Sequence, residues 1–306
     1  MRLHAILALT ALSLPAADRT LTSDAPPGVV FFSADGKSLS SRCRDNRIRT
    51  WDVATGALRA NKPGGPGSYL LAANLSVNRD SEGGAMQVWD LTEERRLQMI
   101  NGAPTGRTSV SNDRTLIATS SAQERSVRVW NLATGAQRLN LPDGLGGASE
   151  LVFSPDGNTL VSANYDNDIR IWNTKSGELV RRIEEMTGAM FAAAFTPDGS
   201  RLIMAGLDET VYIWDARSFQ LLRKWKGHGE TIAALAVSPD SRTLVTGGFD
   251  VITTRNPVKV AIWDLESGKI VRTIASPHRV ISLAFSPDGK WLALTSGDNE
   301  VSMWKL

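Results

Sequence analysis

Few residues of this chain have side chains suited to catalysis. The 306 residues include three histidines and one cysteine, Cys43. A hydroxyl nucleophile, an imidazole base and an orienting carboxylate could come from Thr246, His228 and Asp250. Such a nucleophile must be exposed beside donors that stabilise an oxyanion. The segments that hold these three residues therefore decide whether they are catalytic.

The chain has even fewer residues that could bind a metal ion or a phosphate group. One cysteine excludes an internal disulfide and a zinc site built on several thiolates. The run Asp166-Asn167-Asp168 is too short for a calcium loop and leads directly into a strand pattern. Gly36-Lys37-Ser38 lacks the glycine that a phosphate loop needs five residues earlier, where Phe31 stands. We therefore expect no metal and no cofactor.

The composition predicts an ordinary folded chain. Hydrophobic residues make up 42% and charged residues 22%, which excludes disordered, collagen-like and polytopic membrane proteins. The formal net charge is +2, and no five like charges are consecutive. Nucleic acid is therefore not an expected partner.

The first seventeen residues have the pattern of a secretory signal. Arg2 precedes an apolar run from Ala5 to Leu14, which Pro15-Ala16-Ala17 follows. We predict residues 1–17 as a signal peptide and residues 18–306 as the mature domain, with no membrane span. An uncleaved anchor is a weaker alternative, because a span needs about 20 apolar residues. An apolar start to the fold, and hence a cytoplasmic protein, is another.

A tryptophan recurs through the chain at a nearly fixed period. It lies in segments such as IRTWDVATG, VRVWNLATG and VAIWDLESG, and successive copies are 38, 41, 42, 42, 49 and 41 residues apart. The seven copies are Trp51, Trp89, Trp130, Trp172, Trp214, Trp263 and Trp304. Several copies also contain a turn of the Ser-Pro-Asp-Gly type, as in Phe153–Gly157. The intervening segments alternate apolar and polar residues, which predicts about four short strands in each copy.

Four-stranded sheets that repeat in this way cover their faces when they are arranged radially about an axis. The sequence thus predicts an all-β propeller of seven four-stranded blades. The chain stops two residues after Trp304, so the last blade lacks an outer strand. We expect residues 19–24 to supply that strand and to join the two ends.

These residues and motifs resemble the bacterial type of the WD40 repeat family, over essentially all of residues 18–306. In that family a blade carries a hydrogen-bonded tetrad of Asp, His, Ser or Thr, and Trp. The resemblance implies one complete tetrad here, formed by His228, Thr246, Asp250 and Trp263. Its members are then structural and lie between strands, so we predict no catalytic residue and no enzyme.

The other blades keep only part of this tetrad. The implied partial members are the aspartates Asp45, Asp166, Asp208 and Asp298, six residues before a tryptophan, and the hydroxyls Ser41 and Ser162. Met204 and Leu294 depart from the hydroxyl position. Apolar packing between blades should then contribute more of the stability. In blade 6, Asp250 stands 13 residues before Trp263, which predicts an insertion within 251–259 that is a functional candidate.

The resemblance also implies a function, a monomeric scaffold that binds a protein or peptide. Family members commonly use the loops between the second and third strands, where the residue before the aspartate is exposed. That position holds Arg44, Tyr165, Leu207 and Phe249 in blades 1, 4, 5 and 6. Exposed apolar and aromatic residues on adjacent blades would form an interface hot spot. The alternative is a propeller that binds or hydrolyses a small molecule in its axial funnel.

Four arginines, Arg42, Arg44, Arg47 and Arg49, fall on one hairpin of the first copy. We interpret them as a solvated outer edge that discourages strand addition. The signal-like start and the bacterial type of repeat together predict a periplasmic or secreted protein.

Overall fold

The computed structural model describes residues 17–64, 69–72, 75–79, 85–90, 95–104, 106–142, 147–184, 186–227, 229–249 and 258–306. The described residues form 28 strands and no helix. Most of the predicted signal peptide lies outside the described residues, as do His228, Asp250 and residues 251–257.

The strands of the first three blades follow one another along the chain after β1 (Arg19–Thr22). Blade 1 contains β2 (Pro27–Phe32), β3 (Ser38–Cys43), β4 (Arg47–Asp52) and β5 (Leu58–Pro63). Blade 2 contains β6 (Tyr69–Ala72), β7 (Leu75–Arg79), β8 (Ala85–Asp90) and β9 (Arg95–Asn101). Blade 3 contains β10 (Thr108–Val110), β11 (Leu116–Ser121), β12 (Ser126–Asn131) and β13 (Gln137–Pro142).

The remaining strands form four more blades in the same order. Blade 4 contains β14 (Ala148–Phe153), β15 (Thr159–Asn164), β16 (Ile169–Asn173) and β17 (Leu179–Ile183). Blade 5 contains β18 (Met190–Phe195), β19 (Arg201–Gly206), β20 (Thr210–Asp215) and β21 (Leu221–Lys226). Blade 6 contains β22 (Thr231–Val237), β23 (Thr243–Phe249), β24 (Val258–Asp264) and β25 (Lys269–Ser276). Blade 7 contains β26 (Ser282–Phe285), β27 (Trp291–Thr295) and β28 (Glu300–Lys305), together with β1.

Each blade is a four-stranded sheet in which every strand pairs antiparallel with its neighbour. The first strands of successive blades contact one another from β2 through β26, and β26 contacts β2 again. The first strands therefore line the axis and the fourth strands form the rim. The predicted seven-bladed all-β propeller is confirmed.

The N-terminal strand closes the ring, as the sequence predicts. β1 pairs antiparallel with β28, with Arg19 opposite Met303 and Thr22 opposite Glu300. The backbone N–H of Ser23 also donates to the carbonyl of Asn299 (2.8 Å). Closure leaves the last blade with four strands, so its third strand is not an open edge.

The turn between the first and second strands has the same bonds in six blades. In blade 4, Ser154 Oγ donates to Asp156 Oδ1 (2.6 Å) and accepts from the N–H of Thr159 (2.9 Å). The equivalent hydroxyl and carboxylate pairs are Ser33–Asp35, Ser111–Asp113, Thr196–Asp198, Ser238–Asp240 and Ser286–Asp288. Arg114 and Ser241 adopt a positive φ where the other turns have glycine. The side-chain bonds therefore preserve the turn where the Pro-Asp-Gly sequence is incomplete.

The core lies between blades. Each of six buried apolar clusters joins residues of two neighbouring blades, as where Val161 and Ile171 pack with Leu202 and Trp214. Apolar burial of this kind is the main favourable term in folding. The blades thus depend on their neighbours for their cores.

Polar contacts tie the rim of one blade to the next. Gln98, Arg181 and Arg272 each donate from a fourth strand to a backbone carbonyl of the following blade. The turn after the tryptophan packs against the same fourth strand, and a Cβ on Gly268 would lie 3.2 Å from the Trp225 ring. A side chain at this position would crowd the indole ring, and the φ of +68° also favours glycine.

Candidate functional site

The antiparallel order gives the propeller two distinct ends. We call the end with the second-to-third-strand turns and the segments between blades the upper face. The lower face carries the first-to-second and third-to-fourth-strand turns. On the upper face of blades 1, 4 and 5 the turn bonds to the segment that enters its blade: the N–H groups of Arg44, Tyr165 and Leu207 donate to the carbonyls of Pro26, Gly147 and Ala189. The backbone therefore fixes where these three side chains emerge.

The structure places the four predicted binding residues at one turn position on this face. Tyr165 is 55% and Leu207 47% exposed, on the adjacent blades 4 and 5. Phe249 of blade 6 is half-buried and Arg44 of blade 1 is exposed. The two large side chains on blades 4 and 5 are thus accessible to a partner. Their binding role stays a prediction.

A buried ionic network supports the Tyr165 turn. Arg170 on β16 donates to Asp166 Oδ2 (2.9 Å) and to Asp168 Oδ2 (3.0 Å). Arg182 on β17 also bonds to Asp168, and this bond raises the pKa of the Arg182 guanidinium. Asp168 and Arg170 are both buried. Buried charges of this kind are tolerated only when they are paired, so the pairs hold the turn in one geometry.

The Leu207 turn is held by a different group. Tyr212 on β20 donates its hydroxyl to Asp208 Oδ2 (2.7 Å), and Thr187 donates to the same oxygen (2.7 Å). Burial, and then the bond to Asp208, raise the pKa of Tyr212. The Tyr212 ring also stacks on Trp214, with 5.5 Å between centroids. The turn is therefore anchored to β20, the third strand of its blade, by a hydroxyl donor.

The Arg44 turn corrects one sequence interpretation. Arg49 is 2% exposed and donates to both carboxylate oxygens of Asp45, at 3.0 and 2.7 Å. This bond lowers the pKa of Asp45. The interpretation of Arg49 as part of a solvated outer edge was wrong, because β4 is an inner strand of its sheet. Arg44 is exposed, and Arg47 bonds to Asn61 near the surface.

Sequence reasoning missed the shared position of these supports. In four blades, numbers 1, 3, 4 and 5, the supporting residue stands two before the tryptophan and four after a turn carboxylate. The pairs are Asp45 with Arg49, Glu124 with Arg128, Asp166 with Arg170, and Asp208 with Tyr212. The sequence signal was the constant spacing of four between a turn acid and a donor. The donor lies on the third strand, and the acid lies in the turn that leads into that strand.

The predicted tetrad is only partly covered by the described residues. Trp263 Nε1 donates to Thr246 Oγ1 (2.9 Å), and both residues are buried. His228 and Asp250 lie outside the described residues, so their roles stay predictions. The fully buried hydroxyl of Thr246 lacks the exposure that a nucleophile needs.

The same indole bond varies among the other blades. Trp172 donates to Ser162 (3.2 Å), and Trp130 donates to Thr119 (3.0 Å), a residue that the weak third repeat had hidden. Ser41 does not bind its tryptophan, contrary to the tetrad pattern. Its hydroxyl donates to the carbonyl of Val29 (3.1 Å), while Trp51 donates to the carbonyl of Thr22 on β1 (3.3 Å). The closing strand thus replaces the tetrad hydroxyl in blade 1.

One titratable group on the axial strands has a perturbed pKa. Glu150 on β14 is partly buried, and loss of solvation raises its pKa to about 7, against the opposing effect of Arg107. Its carboxylate also accepts a bond from the N–H of Leu151 (3.2 Å). Two grooves lie on the lower face, away from the axial strands. One of about 410 Å³ lies between blades 6 and 7, and one of about 530 Å³ lies between blades 4 and 5.

Within the described ranges no group of three or more His, Cys, Asp or Glu side chains could hold a metal ion. None of the described segments is a helix long and apolar enough to cross a membrane.

Comparison with known proteins agrees with the repeat pattern and the fold. The family model described as WD domain, G-beta repeat matches residues 146–173, 177–215, 219–250 and 268–305. An uncharacterized WD repeat-containing protein of Synechocystis is 29% identical over 139 residues, which are 43% of this chain and 39% of that protein. The aligned region thus spans less than half of that relative. The matched segments lie in blades 4 to 7, and with the seven four-stranded blades closed into a ring they give the chain the fold of a WD40 repeat propeller.

Proposed function

We propose that the protein is a non-catalytic scaffold whose upper face binds another protein or a peptide. WD40 propellers are typically interaction scaffolds, and this coarse role follows from the family. The particular site is our proposal, with Tyr165, Leu207, Phe249 and Arg44 as its binding residues.

One observation carries this proposal. Tyr165 and Leu207 occupy equivalent turn positions on adjacent blades, and about half of each side chain is exposed. A large apolar side chain that stays half-exposed on a rigid support is what an interface hot spot requires. Both turns are rigid because buried bonds fix the residue that follows the exposed side chain. Binding would then order few additional groups, which favours affinity.

The test is affinity capture of the purified protein from a native envelope fraction, followed by mass spectrometry. We expect a stoichiometric protein partner that is lost in the variant Tyr165→Ala, Leu207→Ala, Phe249→Ala. A matched control, Leu58→Ala with Met99→Ala, removes exposed apolar side chains from the rim of blades 1 and 2. The control should retain the partner. Equal capture by both variants, or no partner with any form, would contradict the proposal.

A second candidate function is small-molecule binding or hydrolysis in the axial funnel. Glu150 favours it, because a carboxyl group with a pKa near 7 on an axial strand could act as an acid or a base. Thermal-shift screening of the protein beside Glu150→Gln tests this candidate. A ligand that stabilises only the parent protein would support it, whereas ligands that stabilise neither form would remove it.

We further propose that the protein is exported and that residues 1–17 are removed. The apolar run between Arg2 and Pro15 supports this localisation. N-terminal sequencing of protein from separated periplasmic and cytoplasmic fractions tests it. A periplasmic chain that begins at or near Asp18 is the expected result, and a cytoplasmic chain that begins at Met1 would contradict it.

A further inference from the structure

The fourth strands of the blades carry one sign of charge. We call the surface formed by β5, β9, β13, β17, β21, β25 and β1 the outer wall. It holds 13 basic residues and no acidic residue, whereas the whole chain has 34 basic and 32 acidic residues. The basic residues are Arg19, Arg59, Lys62, Arg95, Arg96, Arg138, Arg181, Arg182, Arg223, Lys224, Lys226, Lys269 and Arg272. The outer wall is therefore strongly basic, although the net charge of the whole chain is near zero.

Exposed apolar side chains lie on the same wall, beside the cations. The fourth strands of blades 4, 5 and 6 each carry two such residues in succession, at the start of β17 and β21 and after Lys269 in β25, and one or two cations follow. Their side chains are between 43 and 63% exposed. The pairs are Leu179-Val180, Leu221-Leu222 and Ile270-Val271. Because the three blades are neighbours, the pairs repeat in one register along a single side of the propeller.

Several of the adjacent cations make contacts that do not neutralise them. Arg181 and Arg272 donate to backbone carbonyls of the next blade, at 3.4 and 3.3 Å. The Lys224 ammonium lies 6.0 Å from the centre of the Tyr212 ring. Arg182, in contrast, is paired with Asp168 and Glu184. The carbonyl contacts position the charges at the rim and leave them available to an anionic surface.

Protection of exposed strand edges explains only half of this pattern. Lysine and arginine on an edge strand discourage pairing with another strand. Six large apolar side chains on the same edges would act against that protection. Cations beside exposed apolar residues are instead the combination that binds an anionic lipid surface, because the cations meet the headgroups and the apolar groups enter the interface. A nucleic acid would use the cations alone.

We propose that the outer wall of blades 4 to 6 docks on an anionic lipid bilayer. The surface is separate from the upper face, so the propeller can lie against a membrane while its upper face stays open. The headgroup phosphates contact Arg181, Lys224 and Arg272, and the apolar residues Leu222 and Val271 enter the boundary of the acyl chains.

The first test measures binding of the full chain to vesicles by sedimentation. We expect binding to vesicles of phosphatidylcholine mixed with phosphatidylglycerol, weakened by salt, and little binding to phosphatidylcholine alone. Arg181→Gln with Lys224→Gln should weaken binding about tenfold, and Leu222→Ser with Val271→Ser should do the same. The matched controls are Lys37→Gln with Lys290→Gln on the lower-face turns, and Met99→Ser on the rim of blade 2. They should bind like the parent protein.

A second test identifies the surface that touches the lipid, independently of residues 1–17. Cys43 is buried, so a polarity-sensitive dye will label Leu222→Cys selectively. Its emission should shift to the blue on anionic vesicles, while the same dye on Tyr165→Cys should not shift. A shift only at position 165, equal vesicle binding by all variants, or binding to DNA or acidic peptides without vesicle binding would overturn the proposal.

Discussion

The two ends of the propeller are built by different rules. On the lower face the same hydroxyl and carboxylate bond recurs in six turns, from Ser33–Asp35 to Ser286–Asp288. On the upper face the support changes from blade to blade, with Arg49, Arg170 or Tyr212 at one position. The repeated bond thus marks the end where six blades share one turn structure. Variation marks the end where individual blades can specialise.

The largest loss of stability should come from removing an ion pair that holds an upper-face turn. Arg170→Ala would leave Asp166 and the buried Asp168 with one less cation, and we expect a loss of about 3 kcal/mol in the free energy of unfolding. Arg181→Ala on the rim is the control and should cost less than about 0.5 kcal/mol. Urea denaturation measures both. A small loss with Arg170→Ala would show that the upper-face network is not structural.

Glu150 predicts a pH dependence with a definite sign. Its folded pKa of about 7 exceeds the ordinary value of 4.5, so the protein loses stability as the pH rises from about 4.5 to 7. Glu150→Gln removes that loss, and should stabilise the protein by up to about 3 kcal/mol at pH 8 and by almost nothing at pH 4. Thermal unfolding at the two pH values measures the difference. An equal effect at both would contradict the assignment.

Substituting two glycines distinguishes the cost of a packing clash from the cost of backbone strain. Gly268 has a φ of +68° and its Cβ would meet the Trp225 ring, whereas Gly102 has a φ of +70° and nothing within 4 Å. Gly268→Ala should therefore cost about 2 kcal/mol and Gly102→Ala about 1 kcal/mol. Chemical denaturation provides the values. Equal costs would mean that the contact between Gly268 and the preceding blade contributes nothing.

The smallest effect tests whether the lower-face turns are equivalent. Ser154→Ala and Ser286→Ala should each cost about 1 kcal/mol, because each removes the same pair of hydrogen bonds. Ser154→Ala should also raise the pKa of Asp156, which the Ser154 hydroxyl now lowers. The cost should shrink as the pH falls below about 3.8, where Asp156 becomes protonated in the unfolded chain. NMR titration and denaturation measure both effects, and unequal costs would break the equivalence of the turns.

Most of the fold could be predicted from the sequence, because residues that recur at a fixed spacing indicate the same backbone structure in each blade. The seven tryptophans and the Ser-Pro-Asp-Gly turns predicted the blades, and the short last repeat predicted the closing strand β1. Thr119 and Ser41 show the limit of this reasoning. Their bonds depend on which strand lies beside each indole, and beside Trp51 of blade 1 that strand is β1, which belongs to the sheet of blade 7.

The sequence predicted which turn residues are exposed on the upper face, but it did not predict which buried residues hold those turns. The turn position that precedes the aspartate identified Tyr165 and Leu207. Arg170 and Tyr212 were overlooked because their side chains differ in chemistry, although they occupy one register. Glu150 had no sequence signal, since its pKa depends on burial that only the packed axial strands create.

The central claim is that the upper face is the surface that contacts a protein partner. Site-specific photo-crosslinking in native cells tests it most directly, with the photoreactive group placed at position 165 or 207, and at position 176 or 217 on the lower face. We predict covalent adducts with one protein from the two upper positions and none from the lower positions. Adducts from the lower positions alone would contradict the account.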